Sequence, residues 1–310
     1  MIRRSLLVLT LVLMPVTLAA QDNAQSVRAK RDVLWARMQD SITAIVHQTD
    51  AVIGVAIVDL TDQSSYFLNA DAVFPTASTI KIAVLLELYR QNERAASGKP
   101  GATLGGLYTV SAKDVVEESN ILGGLTPGVT RLTNRDLATM MVAVSDNGAT
   151  NVLIDRVGMD NVNATLSQLG LKETRLRRRM MDVQAAREGR ENTATPRELS
   201  TLLQSLHGAK VLSKPVTDDF FVMLSTPKES YMSRLLPADV RVANKPGSLD
   251  GVRNDAGVVF VAHRPFAMAV MTTFGRDDAE SELAIARITR IAWSYFDRIG
   301  RSSPLGRIVR

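Results

Sequence analysis

The 310-residue sequence contains no cysteine. Disulfides, thiolate nucleophiles, sulfur-bound metals and a lipidated amino-terminal cysteine are therefore excluded, so the fold must rest on its apolar core. Histidine is scarce as well: His47, His207 and His263 stand far apart, without the spacing of metal ligands. Aromatic residues make up only 5% of the chain. None interrupts the densest basic run, Arg175, Arg177, Arg178 and Arg179, so the stacking platforms of a nucleic-acid binder are missing. That run reads as a solvated face or a set of local ion pairs. There is no Gly-x-Ser-x-Gly elbow and no Gly-rich phosphate loop; Gly105-Gly106 and Gly123-Gly124 read as turns. No cofactor and no metal are expected.

Long apolar runs are lacking too, apart from Leu6 to Leu13, which follows Arg3 and Arg4 and precedes Pro15, Ala19 and Ala20. Residues 1–20 read as a secretory leader cleaved after Ala19 or Ala20. The run is shorter than the roughly 20 residues a bilayer span needs. The expected product is a secreted, periplasmic protein with no membrane anchor. Of the 37 basic residues two lie in that leader, and the rest exceed the 32 acidic residues by three. So small an excess argues against a nucleic-acid partner. About 290 residues are enough for one large domain or two lobes sharing a core.

What is present alternates between two periodicities. Val27, Leu34, Met38, Ile42 and Ile45 recur at helical spacing over Ala24 to His47. Ala51 to Leu60 and Ser65 to Asn69, joined by Thr61-Asp62-Gln63-Ser64, read as a hairpin. Helical patterns fill the middle, over Ile80 to Ala95, Asn134 to Ser145, Thr150 to Leu169 and Pro196 to Leu206. Strand-like Arg241 to Asn244, Ala256 to Ala262 and Phe266 to Phe274 follow, and Glu282 to Phe296 closes with a helix. The expected fold class is α+β: an antiparallel sheet with flanking helices built from both chain ends, plus an inserted, mostly helical lobe. The boundaries expected are 21–74 and 215–310 for the sheet lobe and 75–214 for the helical one.

Three clusters fall in order along this frame: Ser78-Thr79-Ile80-Lys81, Ser145-Asp146-Asn147 and Lys245-Pro246-Gly247. Ser78 precedes an apolar helical run, so it sits where free N–H groups and the helix dipole favour an oxyanion. Lys81 follows one turn later on the same face. Serine needs a base to act as a nucleophile, and lysine can be one if burial or a nearby cation such as Lys245 lowers its pKa. Alone, the first cluster also describes a capping serine and a surface lysine. The second also describes a turn with caps. Gly247 would let a strand edge approach closely.

An S-x-x-K, an S-D-N and a K-[TS]-G element in this order are the signature of class A β-lactamases and penicillin-binding proteins. On those residues the chain resembles a class A β-lactamase, over about Gln25 to Phe296. The resemblance implies a cleft between two lobes, with Ser78 as nucleophile and Lys81 taking its proton. Ser145 would relay a proton to the leaving nitrogen. Asn147, Lys245 and Gly247 would hold the substrate, with Asp146 satisfying loop donors. The N–H of Ser248 would complete the oxyanion hole.

Two elements depart from the family. Pro246 replaces a Thr or Ser whose hydroxyl helps bind the substrate carboxylate, a duty Ser248 or Arg253 would take over. Aligning Thr174-Arg175-Leu176 and Thr195-Pro196 to the family's loop ends puts Arg178 on its conserved arginine. Met180 then replaces the glutamate that activates the hydrolytic water, and Asn192 stands where the arginine's acidic partner would be. Asp182, Glu188 and Glu191 are the nearest carboxylates, and Asp182 is the candidate base. The expected function is a monomeric β-lactamase-type serine hydrolase acting on a small β-lactam. An esterase or D,D-peptidase-like hydrolase, and a protein that acylates without turnover, stay open as alternatives.

Overall fold

The computed structural model describes residues 16–303 and 305–308, with side chains from Val27 onward. Most of the expected leader, residues 1–15, lies outside the described residues. Helix α1 (Val16–Gln48) leads into strands β1 (Val52–Asp59) and β2 (Ser65–Leu68). The short strand β3 (Phe74–Pro75) is followed by α2 (Lys81–Ala96), β4 (Leu107–Thr109), β5 (Arg131–Thr133), α3 (Asn134–Ala143), α4 (Asn147–Val157) and α5 (Met159–Gln168). Then come α6 (Val183–Arg187), β6 (Thr193–Ala194), α7 (Pro196–His207) and α8 (Lys214–Leu224). Strands β7 (Arg241–Leu249), β8 (Val252–Phe260) and β9 (Phe266–Thr273) precede the closing helix α9 (Asp278–Gly300).

The main sheet runs β2-β1-β9-β8-β7, with all neighbours antiparallel. Strands from both chain ends thus share one sheet, as the α+β reading expects. Its central strands are buried on both faces. On one side α1 and α9 pack through Met38, Ile42, Ile285 and Phe296, with Phe296 stacked on Phe266 at a centroid distance of 4.4 Å. On the other side α7 and the helical lobe form a second apolar cluster around α2, where Leu85, Leu86, Leu88 and Tyr89 are buried. Burying apolar faces at about 25 cal/mol per Å2 is the cohesion available to a chain without disulfides.

Several boundaries differ from the sequence pattern for identifiable reasons. The expected helix from Thr150 to Leu169 is two helices, because Gly158 turns the chain at φ +83. Strand β7 continues through Lys245, Pro246 and Gly247 to Leu249, so the third cluster lies on the strand itself. Proline is tolerated there because β7 is the edge of the sheet. Strand β8 begins at Val252, four residues earlier than the apolar pattern indicates, because Arg253, Asn254 and Asp255 form part of it.

Candidate active site

Ser78 lies in a short turn of 3-10 helix, Ala77–Ile80, that leads straight into α2. The turn is held by Thr79, whose hydroxyl and N–H both donate to Thr76 O, and by the Thr76 N–H, which donates to Asn192 O at 2.9 Å. Ala77 takes a left-handed φ of +48 just before the serine. Strand β7 presses against this turn: a Cβ on Gly247 would lie 2.7 Å from Ser78 N and 2.8 Å from Thr76 O. Only glycine fits so close an approach. The Ser78 N–H has no hydrogen-bond partner among the described residues, which leaves it available to an oxyanion.

Asp146 builds the second cluster. Its Oδ1 accepts the Ala149 N–H and caps α4, while Oδ2 accepts the Ile121 and Leu122 N–H groups at 2.8 and 2.9 Å. This carboxylate therefore ties the loop before α3 to the helix carrying Asn147. Ser145, just before it, is held at φ +57. Non-glycine residues in this region cost about 1–3 kcal/mol each and persist where their surroundings fix them.

The three clusters meet in space. Lys81 Nζ donates to Ser145 O at 2.7 Å, Ser145 Oγ at 2.9 Å and Asn147 Oδ1 at 2.8 Å. Lys245 Nζ donates to Ser145 Oγ at 3.1 Å and to Pro246 O at 2.9 Å. Ser145 Oγ in turn donates to Ser78 Oγ at 2.9 Å. No direct hydrogen bond joins Lys81 to Ser78; Ser145 is the bridge. Each lysine is only 1% exposed. Burial, and secondarily the Lys245 charge, hold Lys81 well below the usual lysine range, against the opposing pull of Glu118 and Asp146. Burial lowers Lys245 to about 7, opposed by Asp255 and aided by Lys228. Asp255 is itself fixed by Asn244, Ser230 and the Met232 N–H.

A hollow of about 640 Å3 opens beside Ser78, lined among others by Ser145, Lys245, Ser248, Lys228 and Tyr231. Lys228 was not legible as a site residue: it lies in the loop after α8, and only the fold brings it to β7. Its Nζ donates to Leu224 O at 2.8 Å, and burial lowers its pKa to about 8. Arg253 comes less close to a free role. Its guanidinium is taken up by Glu282, Asp278 and the carbonyls of Leu249 and Val252, so its charge is already neutralised.

A second hollow, about 380 Å3, adjoins Ser78 on the other side and is lined by Asn147, Glu117, Glu118, Arg178, Met180 and Asn192 among others. Met180 is 7% exposed, and its backbone is pinned by both ends of the Asn151 amide, at 2.8 and 3.1 Å. The candidate base Asp182 is not brought here. It caps α6 through the Ala185 N–H at 2.9 Å and is solvent-exposed. Glu188 pairs with Arg190, and Glu191 pairs with Arg178 Nη2 at 2.9 Å. The arginine thus finds its acidic partner one residue before Asn192, whose Oδ1 instead accepts the N–H groups of Arg177 and Arg178. Among the described residues no group of acidic or histidine side chains is arranged to hold a metal ion.

A sequence profile described as the beta-lactamase enzyme family matches residues 37–296. The chain belongs to that family. Among its relatives, beta-lactamase AST-1 of Nocardia asteroides is 30% identical over 299 residues, covering 93% of this chain and 94% of its own. The crystal structure of a beta-lactamase from Sphaerobacter thermophilus superposes with a TM-score of 0.74 at 30% identity, covering 83% of this chain and 96% of that one. A PBP-A mutant in acyl-enzyme complex with penicillin G matches at a TM-score of 0.74 and 25% identity, over 84% and 97%. The fold is that of the beta-lactamase family, and the chain is a class A-like serine hydrolase of it.

Proposed function

We propose that this chain is a secreted, periplasmic enzyme that opens the β-lactam ring through an acyl intermediate on Ser78 and releases the product slowly. The observation that carries the reading is the continuous path Ser78 Oγ, Ser145 Oγ, Lys81 Nζ, with Lys245 on the same hydroxyl. With Lys81 neutral, its lone pair accepts the Ser145 proton while Ser145 accepts that of Ser78. The Ser78 oxygen bonds to the lactam carbonyl carbon, and the oxyanion is met by the N–H groups of Ser78 and Ser248. The carbon–nitrogen bond then breaks as Ser145 protonates the nitrogen and regains a proton from the Lys81 ammonium. Lys245 and Lys228, with Tyr231 and Ser248, supply the positive and hydrogen-bonding pole for the substrate carboxylate.

Release of the acyl group needs an activated water. Met180, beside Ser78, cannot accept its proton, and none of Asp182, Glu188 and Glu191 reaches the hollow that holds it. Glu117 and Glu118 line that hollow, but the Glu118 carboxylate is taken up by Asn147 Nδ2, so acylation is better equipped than hydrolysis. The same feature favours a second reading, a D,D-peptidase-like or esterase activity on another acyl donor. Intact mass spectrometry with a penicillin and a cephalosporin, following antibiotic loss in the same tubes, tests both. The expected result is an adduct on the wild type that is absent in Ser78→Ala, with slow loss of antibiotic. Labelling that survives Ser78→Ala sinks the nucleophile assignment. An adduct without loss beyond one equivalent favours the second reading.

A further inference from the structure

Glu118 stands inside the catalytic cleft and has no role in the steps above. It lines the hollow shared by Ser78, Asn147 and Met180, and its backbone is held at φ +56, which is unfavourable for a residue with a Cβ. Its Oε2 accepts from Asn147 Nδ2 at 3.1 Å. The same Nδ2 also donates to Glu117 O at 3.3 Å, and Asn147 Oδ1 is taken by Lys81. The Asn147 amide, itself buried, therefore has every polar atom engaged, with a carboxylate on its donor side.

That arrangement bears on what can bind. An uncharged amide carbonyl arriving at Asn147 must displace a charged acceptor, which makes the stronger hydrogen bond. A cation arriving there meets a carboxylate already in position. No lysine or arginine forms a salt bridge to Glu118 among the described residues; Arg178 and Arg253, which line the same hollow, are held by Glu191 and by Glu282 and Asp278, and Lys81 is buried behind the Asn147 amide, so the Glu118 carboxylate is left to meet an arriving cation. We infer that Glu118 is a specificity-determining residue that selects substrates bearing an alkylammonium group on the acyl side of the scissile amide. This inference rests on the acyl-serine reading of Ser78.

Ampicillin and benzylpenicillin differ by one amino group on the acyl side chain, and second-order acylation rates for the pair, taken where that amine is protonated, test the inference. The wild type is expected to favour ampicillin by about tenfold. In Glu118→Gln, which keeps the shape and an acceptor for Asn147, the ratio is expected to collapse to within about twofold. The wild-type ratio should also narrow as salt is raised, which a purely structural role would not produce. Equal rates in the wild type, or a preference that survives Glu118→Gln, overturn the inference.

If neither penicillin acylates the protein, the acyl-serine reading of β-lactams fails by itself. The selectivity is then read from binding of phenylboronic acid and its aminomethyl derivative, which add to a serine hydroxyl without turnover. Tighter binding of the aminomethyl compound by the wild type but not by Glu118→Gln upholds the inference. Equal binding, or no binding, overturns it.

Discussion

Ser145 Oγ donates its proton to Ser78 Oγ while both Lys81 and Lys245 donate to Ser145 Oγ. In this resting network the protons run toward the nucleophile, which is the wrong direction for attack. Removing one proton from Lys81 reverses the chain, since the freed lone pair accepts from Ser145 and Ser145 then accepts from Ser78. In the mechanism proposed above, the lowered pKa of Lys81 arms the serine, and Ser145 serves before the scissile bond breaks as well as after.

Ser145→Ala should therefore slow acylation itself. A loss of about 10^2 to 10^4 in the second-order rate constant is expected, in line with removing a positioned proton-transfer group. Stopped-flow measurement of adduct formation checks it, and a rate within a few-fold of wild type would mean that Lys81 reaches Ser78 without the bridge.

The pH profile follows from the two lysines. Lys81 must lose its proton, so acylation rises with pH through its lowered pKa. Lys245 must keep its charge for an anionic substrate, and that charge is lost as pH rises through about 7. A bell with its alkaline limb near neutrality is expected. In Lys245→Arg the guanidinium stays charged, so the alkaline limb should move to higher pH. A limb unmoved by that change would assign it to another group.

Met180→Glu should place a base on the Met180 side of the hollow beside Ser78, opposite the Asn147-bound carboxylate of Glu118. Because Asn151 pins the backbone on both sides of this residue, the loop should tolerate the exchange. Acyl release is expected to accelerate by about 10^2, at a stability cost on the order of several kcal/mol for an ionised carboxylate in a nearly buried position. The decay of the penicillin adduct by mass spectrometry reads the first effect and thermal unfolding the second. An unchanged decay rate would show that the water is activated from elsewhere.

Asp182→Ala separates a cap from a base. Loss of the hydrogen bond to the Ala185 N–H should lower stability by about 1 kcal/mol. Adduct decay should stay within about twofold of wild type. Slower decay would return Asp182 to the mechanism.

The meeting of Ser78, Lys81, Ser145, Asn147 and Gly247 was legible because each cluster's geometry is local. Ser78 and Lys81 are one turn apart, Ser145 and Asn147 flank a capping aspartate, and Gly247 sits where no Cβ fits. The parts that were not legible depend on distant pieces of chain. Glu118 sits in a polar stretch, Glu117-Glu118-Ser119-Asn120, that reads as ordinary solvated loop until Asp146 anchors it beside Asn147. Arg178 meets Glu191 rather than the residue at position 192, because the turn at the loop neck is set by the Asn192 side chain bonding back to the Arg177 and Arg178 backbone. In the fold, the helix break at Gly158 was hidden by an apolar period that runs on across it. The start of β8 was hidden because Arg253, Asn254 and Asp255 satisfy their polar groups inside the protein.

Pro246 has a consequence of another kind. It lies on the edge strand that borders the cleft, paired with Asp255 across the sheet, and it offers no N–H in either direction. A peptide laid along β7 as an added strand would find a rung missing from the ladder at that point, beside the nucleophile. A compact bicyclic ring, held by its charges and its carbonyl, uses no such rung and forgoes only the hydroxyl that a Thr or Ser would offer there. The proline thus narrows the cleft's clientele by removing backbone pairing, and it blunts the same edge against strand-to-strand association between copies of the protein.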